Sequence, residues 1–117
     1  NQWMSFIQMD LDAHTLYVIR KHRDLESLYG AAPAAVEAAI DGFNKQIQVA
    51  DHFLQSNEYL VGASFSGADL LMTTILTWAE AYGFELSSNL TDYSARQTSR
   101  EAYKSAANLN FSITPND

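Results

Sequence analysis

The chain has 117 residues, of which 47% are apolar and 18% charged, with a formal net charge of −7. This length and composition indicate one globular domain and argue against a disordered chain. The acidic balance argues against a nucleic-acid partner, because phosphate binding needs clustered Lys and Arg. With no Cys, the chain itself has no disulfide, thiolate metal site or Cys nucleophile, which fits a reducing, cytoplasmic compartment.

Apolar residues at helical spacing predict a long first helix from Gln2 to about Leu28. Gly30 suits the position just after its end, where a left-handed backbone favours glycine. The chain's only basic cluster, RKHR at residues 20–23, is interpreted as cations near the helix C-terminus. The apolar stripe of this helix is formed by Trp3, Phe6, Ile7, Leu11 and Val18.

A second helix is predicted from Pro33, which suits a first helical turn. Its core stripe alternates steps of three and four and consists of Val36, Ala39, Ile40, Phe43, Ile47, Ala50 and Leu54. A connector follows, and a third helix begins at Ser66 and stops at Gly83. This helix contains the most apolar stretch, LLMTTILTWA, which is about half as long as a membrane span requires. We therefore expect no membrane partner.

Two shorter helices are predicted in the last third of the chain. One follows Asn89, with Asp92 three residues on, and another follows Thr98, whose spacing to Glu101 is that of a capping box. No repeat or linker separates the elements. The predicted fold is an all-α bundle of about five helices with short connections.

The start of the third helix, FSGADLLM at residues 65–72, carries two helix-start signals. Ser66 is placed to cap the helix and Asp69 to reach back to the backbone of Ser66, while Phe65 and Leu70 have the spacing of a hydrophobic staple. Because the helix is apolar on nearly every face, we expect it to be the buried centre of the bundle. Ser66 and Asp69 are interpreted as structural residues, and no His is placed to make Ser66 a nucleophile.

This capping pattern, F-[ST]-x-A-D before an apolar helix, resembles the C-terminal helical domain of glutathione S-transferases. QWMSFIQMDL resembles the opening of that domain's first long helix, particularly in bacterial beta-class enzymes. LTDYSARQTSREAYKSA resembles its closing helices. The resemblance runs from Gln2 to about Ala107 and implies that residues 1–117 are one such domain.

The resemblance also implies what this chain lacks. In the family, an N-terminal thioredoxin-like domain binds most of the glutathione and carries the catalytic Tyr, Ser or Cys. No such domain is recognisable here, so we expect no catalytic residue in this chain. The chain is then the substrate-side and dimer-side half of a homodimeric, two-domain protein. Glutathione would be its co-substrate, and no cofactor is expected.

Five positions acquire roles from the resemblance. Asp10 matches an acid that reaches across the dimer to the amino group of the γ-glutamyl end of glutathione, and Ser5 matches an Asn of the same site. Asp12 and Ala13 stand where beta-class enzymes have the His and Lys of the substrate pocket. Trp78 matches a Trp that borders this pocket, although a Trp on a central helix is also a common core residue.

Asp10 has a second interpretation that does not depend on the family. His14 follows it at i+4 on the same helix face, so the two could be a solvent-facing or dimer-groove pair. A metal site is not expected, because the second helix offers only the adjacent Asp51 and His52, which face different directions.

Three functions stay open from the sequence. The first is a domain of a glutathione S-transferase that conjugates glutathione to a hydrophobic electrophile. The second is a non-catalytic interaction module of the same fold, and the third is an unrelated helical bundle with a partner groove. The acidic charge disfavours a module of the kind attached to translation factors.

Overall fold

The computed structural model describes residues 2–100, and within that range the chain is all-helical, as predicted. The first helix, α1, consists of four consecutive segments: Gln2–Phe6, Ile7–Leu16, Tyr17–Ile19 and Arg20–Asp24. Four helices follow it: α2 (Glu26–Tyr29), α3 (Pro33–Leu54), α4 (Gly67–Ala81) and α5 (Ser88–Thr98). The further helix predicted after Thr98, with Glu101, lies outside the described residues. No helix of the described part is long and apolar enough to span a membrane.

The first helix is less regular than the sequence predicts. The backbone of Leu25, at φ −111° and ψ 30°, ends α1 and separates it from α2. Two segments of α1, Ile7–Leu16 and Arg20–Asp24, are π-helical. The N–H of Tyr17, for example, donates to the carbonyl of Asp12, five residues back. Gly30 then ends α2 with a φ of 86°, as the sequence predicted.

The widening of α1 matches the spacing of its buried residues. Ile7, Leu11, Thr15 and Ile19 are almost fully buried and recur in steps of four. In an α-helix each such step advances the side chain by about 40° beyond a full turn, so the row would turn away from the core. A wider helix reduces this drift and keeps the row against α3 and α4.

Helices α1 and α3 form an antiparallel pair. The Trp3 ring, at the start of α1, lies 5.1 Å from the Phe53 ring, at the end of α3. Between them, the helices approach closely at Gly42, where a Cβ atom would lie 3.4 Å from the Thr15 methyl carbon. The Thr15 hydroxyl donates to the Leu11 carbonyl at 2.7 Å, which satisfies this buried donor within its own helix.

Helix α3 follows the prediction closely. Pro33 occupies its first turn, and the helix extends to Leu54. Of the predicted stripe, five residues are buried: Ala39, Phe43, Ile47, Ala50 and Leu54. Val36 and Ile40 are partly buried and pack against the same core.

Helix α4 begins with the predicted capping box, in which the Ser66 side chain faces the Asp69 N–H and the Asp69 side chain faces the Ser66 N–H. The Ser66 N–H donates to Asp69 Oδ2 at 3.0 Å, which is the arm that Asp69 supplies. The Ser66 hydroxyl also turns to this carboxylate, at 3.3 Å. Leu70 is 47% exposed, and the Phe65 ring lies against the Arg100 guanidinium at 4.1 Å, so the Phe65–Leu70 staple stays a prediction.

The Asp69 side chain is fully buried and joins three parts of the bundle. Its Oδ1 accepts the Tyr93 hydroxyl of α5 at 2.6 Å and the Leu60 N–H of the connector at 3.1 Å. Its Oδ2 accepts the two Ser66 donors at the start of α4. One carboxylate therefore fixes the connector, the start of α4 and the inner face of α5.

The rest of α4 is buried on one side only. Seven of its residues are buried: Ala68, Asp69, Met72, Thr73, Ile75, Leu76 and Ala79. The prediction that it is the buried centre of the bundle holds for this side only, because Leu70, Thr74 and Thr77 are exposed. The helix ends as predicted at Gly83, where the N–H of Phe84 donates to Ala79 and that of Gly83 to Glu80, both at 3.0 Å.

Helix α5 starts earlier than predicted. Its cap is Ser87, whose hydroxyl accepts the Leu90 N–H at 3.1 Å, so the predicted start after Asn89 is wrong by two residues. The Asn89 amide instead donates to the backbone and side-chain oxygens of Asp51, at 3.0 and 2.9 Å. An Asn that could cap a helix thus ties α5 to the end of α3.

We expect Asp69→Ala to destabilise the domain by roughly 3–5 kcal/mol, because it leaves several buried donors without an acceptor at about 1–3 kcal/mol each. Ser66→Ala should cost only roughly 0.5–2 kcal/mol, the usual value of a cap. Urea unfolding checks both, with Asp92→Ala, an exposed acid on α5, as the control. Equal midpoints for Asp69→Ala and the control would contradict the central role of Asp69.

A second test uses the pKa of Tyr93, which is raised above its usual value of 10.0, first by burial and then by the hydrogen bond to Asp69. Above about pH 10 the unfolded chain releases a phenol proton that the folded chain retains, so stability falls as pH rises. The Tyr93→Phe variant lacks this proton, so its free energy of unfolding should fall less steeply with pH, by up to about 1.4 kcal/mol per pH unit. Urea unfolding at a series of alkaline pH values measures both slopes, and equal slopes would contradict the assignment.

Candidate functional site

Four of the five predicted site residues lie on α1, within about two turns of one another. Ser5 is exposed on the first segment of the helix, Gln2–Phe6. Asp10, Asp12 and Ala13 follow on the π-helical segment Ile7–Leu16. The structure therefore groups these four positions on the same stretch of one helix, and the packing of that helix decides which of them face outward.

Asp10 is partly buried, between the core row and the outward face of α1. Within residues 2–100 no hydrogen bond or ion pair reaches its carboxylate. His14, which follows at i+4, is exposed, and no hydrogen bond or ion pair joins it to Asp10. A partly buried carboxylate without a cation among residues 2–100 is suited to pair with a cation from elsewhere.

Asp12 occupies a different environment from Asp10. Its side chain is partly buried, and burial raises the pKa of its carboxyl group because desolvation penalises the charged form. Its backbone carbonyl accepts the Tyr17 N–H in the π-helical turn. Ala13, next to it, is exposed and offers no polar group.

A second row of side chains lies on the outward face of α1. Ser5, Met9, Ala13 and Tyr17 are all exposed and recur in steps of four, parallel to the buried row. Met9 and Tyr17 are each 50% exposed and Ala13 lies between them, so the row presents apolar side chains on the surface of the helix. This face was not predicted from the sequence, although its spacing of four could have shown it.

Trp78, the fifth predicted residue, lies on α4 and has other neighbours. It is partly buried, and its ring meets that of Tyr82 edge-on at 5.8 Å. The Arg23 guanidinium, near the C-terminal end of α1, lies over the Tyr82 ring, 4.9 Å from the ring centroid. The contacts described for Trp78 thus point towards the end of α1, whereas Asp12 and Ala13 lie in its middle.

Residues 7–101 match the model of the glutathione S-transferase C-terminal domain family. The chain belongs to this family. No curated protein and no solved structure matches it. The match covers α1 from its π-helical segment onwards, together with α2, α3, α4 and α5. It therefore includes every predicted site residue except Ser5.

Membership of the glutathione S-transferase C-terminal family agrees with the all-helical architecture. The described range of this domain holds helices and no strands. Within the same range, no three His, Asp or Glu side chains converge in a way that could hold a metal ion.

Proposed function

We propose that this domain is the substrate-side and dimer-side half of a glutathione S-transferase that conjugates glutathione to a hydrophobic electrophile. Membership of the family supports the proposal at the level of the domain. The observation that carries the more specific proposal is the Asp10 carboxylate, which is partly buried on α1 and has no cation within the described residues. Its chemistry fits the ammonium of a γ-glutamyl group.

The proposed contact is a charge-assisted hydrogen bond across a dimer. A carboxylate that accepts from an ammonium group typically contributes about 1.5–3 kcal/mol. Ser5, about one turn before Asp10 and exposed, supplies a hydroxyl to the same glutathione end. The remaining binding groups and the residue that activates the thiol belong, in this proposal, to a thioredoxin-like domain of the same protein.

The outward row of α1 supports a homodimer. Met9 and Tyr17 place apolar surface beside Asp10, and exposed apolar surface of this kind is common where a partner covers it. A second copy docked along this row would cover both side chains and bring its own glutathione-binding domain towards Asp10. The proposed site is therefore complete only in the dimer.

The proposed electrophile pocket lies at Asp12 and Ala13, in the middle of α1, whereas Trp78, whose described contacts point towards the end of α1, stays a prediction. The raised pKa of Asp12 reflects a position where charge is disfavoured, and Ala13 adds a small apolar wall. Both features suit an uncharged, hydrophobic electrophile better than an anionic one. We place the protein in the cytoplasm, in line with the absence of Cys in this chain.

The alternative proposal is a non-catalytic interaction module of the same fold. The outward row of α1 would then bind a partner protein, and Asp10 would pair with a cation of that partner. The two proposals differ in whether glutathione binds at all, which the following experiment measures.

We expect Asp10→Asn in the full-length dimer to raise the KM for glutathione roughly ten-fold or more, since a charge-assisted bond of 1.5–3 kcal/mol corresponds to about that factor. The KM for the electrophile should stay nearly unchanged. Steady-state kinetics with each substrate varied in turn checks both values.

The control is Asp41→Asn, which removes an exposed acid from α3 and should leave both constants unchanged. An unchanged KM for glutathione in Asp10→Asn would reject the cross-dimer contact. A preparation that binds no glutathione at all would favour the interaction module.

We also expect the chain of 117 residues alone to leave the rate of glutathione conjugation to an aromatic electrophile at its uncatalysed value. In the proposed site, Ser5 and Asp10 contact the γ-glutamyl end of glutathione and not its thiol, so the group that activates the thiol is assigned to another domain. The assay compares the purified chain with buffer, and turnover above the buffer rate would contradict the assignment of catalysis to another domain.

A further inference from the structure

A groove runs beside the C-terminal end of α1, about three turns of helix from Asp10. It consists of two cavities, of about 470 Å³ and about 300 Å³, that share Arg23 and Ile40. We name it the Arg23 groove. Four elements form it: the end of α1, the start of α2, the first half of α3 and the turn after α4. The combined volume of the two cavities is within the range of small-molecule sites, roughly 300–1,000 Å³.

Arg23 is held in place but keeps free donors. Its Nε donates to Asp24 Oδ1 at 3.2 Å, and its guanidinium lies over the Tyr82 ring at 4.9 Å. A hydrogen bond from Tyr82, followed by the charge and hydrogen bond of Arg23, lowers the pKa of Asp24 and keeps it ionised. Within residues 2–100 the two Nη groups have no partner. The edge of the guanidinium that carries these two Nη groups can bind a carboxylate, which accepts two parallel hydrogen bonds from such an edge.

The larger cavity also holds groups that recognise a cation and a polar backbone. Glu85 and the side-chain amide of Asn44 line it, and neither has a hydrogen-bond partner in the described part of the chain. Its far wall is rigid, because the Phe84 ring packs on the buried Phe43 ring at 4.5 Å. The cavity therefore presents a cation, an acid and an amide together.

Three of the seven residues that line the smaller cavity are apolar. Pro33, Val36 and Ile40, from the first two turns of α3, form its apolar floor. Glu26 and Glu37 also line it, so the whole groove has one Arg against three Glu. The remaining titratable side chain in the lining of the smaller cavity is His22, whose Nδ1 pairs with the Gly30 carbonyl at 2.9 Å. This balance disfavours a ligand that is only an anion and favours one that also carries an ammonium group.

We propose that the Arg23 groove binds a small zwitterionic peptide with apolar side chains. The peptide carboxylate occupies the free edge of Arg23, and its ammonium faces Glu85. One apolar side chain lies on the floor formed by Val36 and Ile40. Nothing in this assignment depends on the glutathione site at Asp10, which lies on another part of α1.

The probe is the dipeptide leucyl-leucine, titrated into the protein that carries this chain and followed by calorimetry and by amide chemical shifts. We expect saturable binding, with shifts at Gly83 and Phe84 and none at Ser5. The C-terminal amide of the dipeptide, which lacks the carboxylate, and its N-acetyl form, which lacks the ammonium, should each bind roughly ten-fold more weakly or worse. These two ligands test the two charges without altering the protein.

Matched variants assign the charges to residues. The Arg23→Gln variant should bind the dipeptide as weakly as it binds the C-terminal amide. The Glu85→Gln variant should bind the dipeptide as weakly as it binds the N-acetyl form. Because Glu85 is exposed, Glu85→Gln should keep the fold and still test the proposal even if Arg23→Gln unfolds the domain. Arg20→Gln, an exposed cation on the same helix, should bind like the wild type.

Three results would overturn the proposal. One is the absence of saturable binding at millimolar dipeptide. Another is an amide that binds as tightly as the dipeptide, which would make the groove a site for apolar amines. The third is octanoate binding as tightly as the dipeptide, which would make it a site for hydrophobic anions.

Discussion

The arrangement of this domain depends on the buried carboxylate of Asp69. It accepts hydrogen bonds from a connector amide, from both donors of Ser66 and from the Tyr93 hydroxyl. A buried carboxylate is costly unless its lone pairs are satisfied, and here four donors satisfy them. Because these donors come from the connector, the start of α4 and α5, the cost of burial is offset only when all three are in place. The start of α4 is thereby fixed relative to α5 and the connector.

The position of α4 in turn constrains α1, on which the proposed glutathione contact lies. Buried residues of α4 pack with the buried row of α1, which includes Leu11 and Thr15, in a common core. The π-helical widening keeps that row in register and sets a second row, through Met9 and Tyr17, on the outward face. Asp10 lies between the two rows, which explains its partial burial. The irregularity of α1 thus also sets the placement of the proposed site residues, and π-helical segments are frequent at functional sites.

Much of this fold could be predicted from local patterns. The apolar stripe and Pro33 defined α3, and the spacing of Ser66 and Asp69 located the start of α4. Patterns of period 3.6 could not show the π-helical segments, because a row in steps of four also fits a few turns of an ordinary helix. The start of α5 was misplaced because Ser87 and Asn89 are both good caps, and only a tertiary contact with Asp51 decides between them.

The candidate site was predictable as a set of positions and less so as a three-dimensional arrangement. The resemblance placed four residues on one helix, and the structure groups them there. The neighbours of Trp78 depend on where the end of α1 meets α4, which no local pattern encodes. The two extra donors to Asp69 were also missed, since Leu60 offers only its backbone N–H and Tyr93 lies 24 residues away.

Amide hydrogen exchange at Leu60 tests the role of Asp69 most directly. This residue lies in the connector, outside any helix, and its N–H donates to the Asp69 carboxylate. If the carboxylate joins the three segments into one cooperative unit, the Leu60 amide opens only with the whole domain. Its opening free energy, measured by NMR under native conditions, should then equal the global free energy of unfolding from urea. Fast exchange of Leu60 while the amides of α4 stay protected would show that the connector opens independently and would contradict this account.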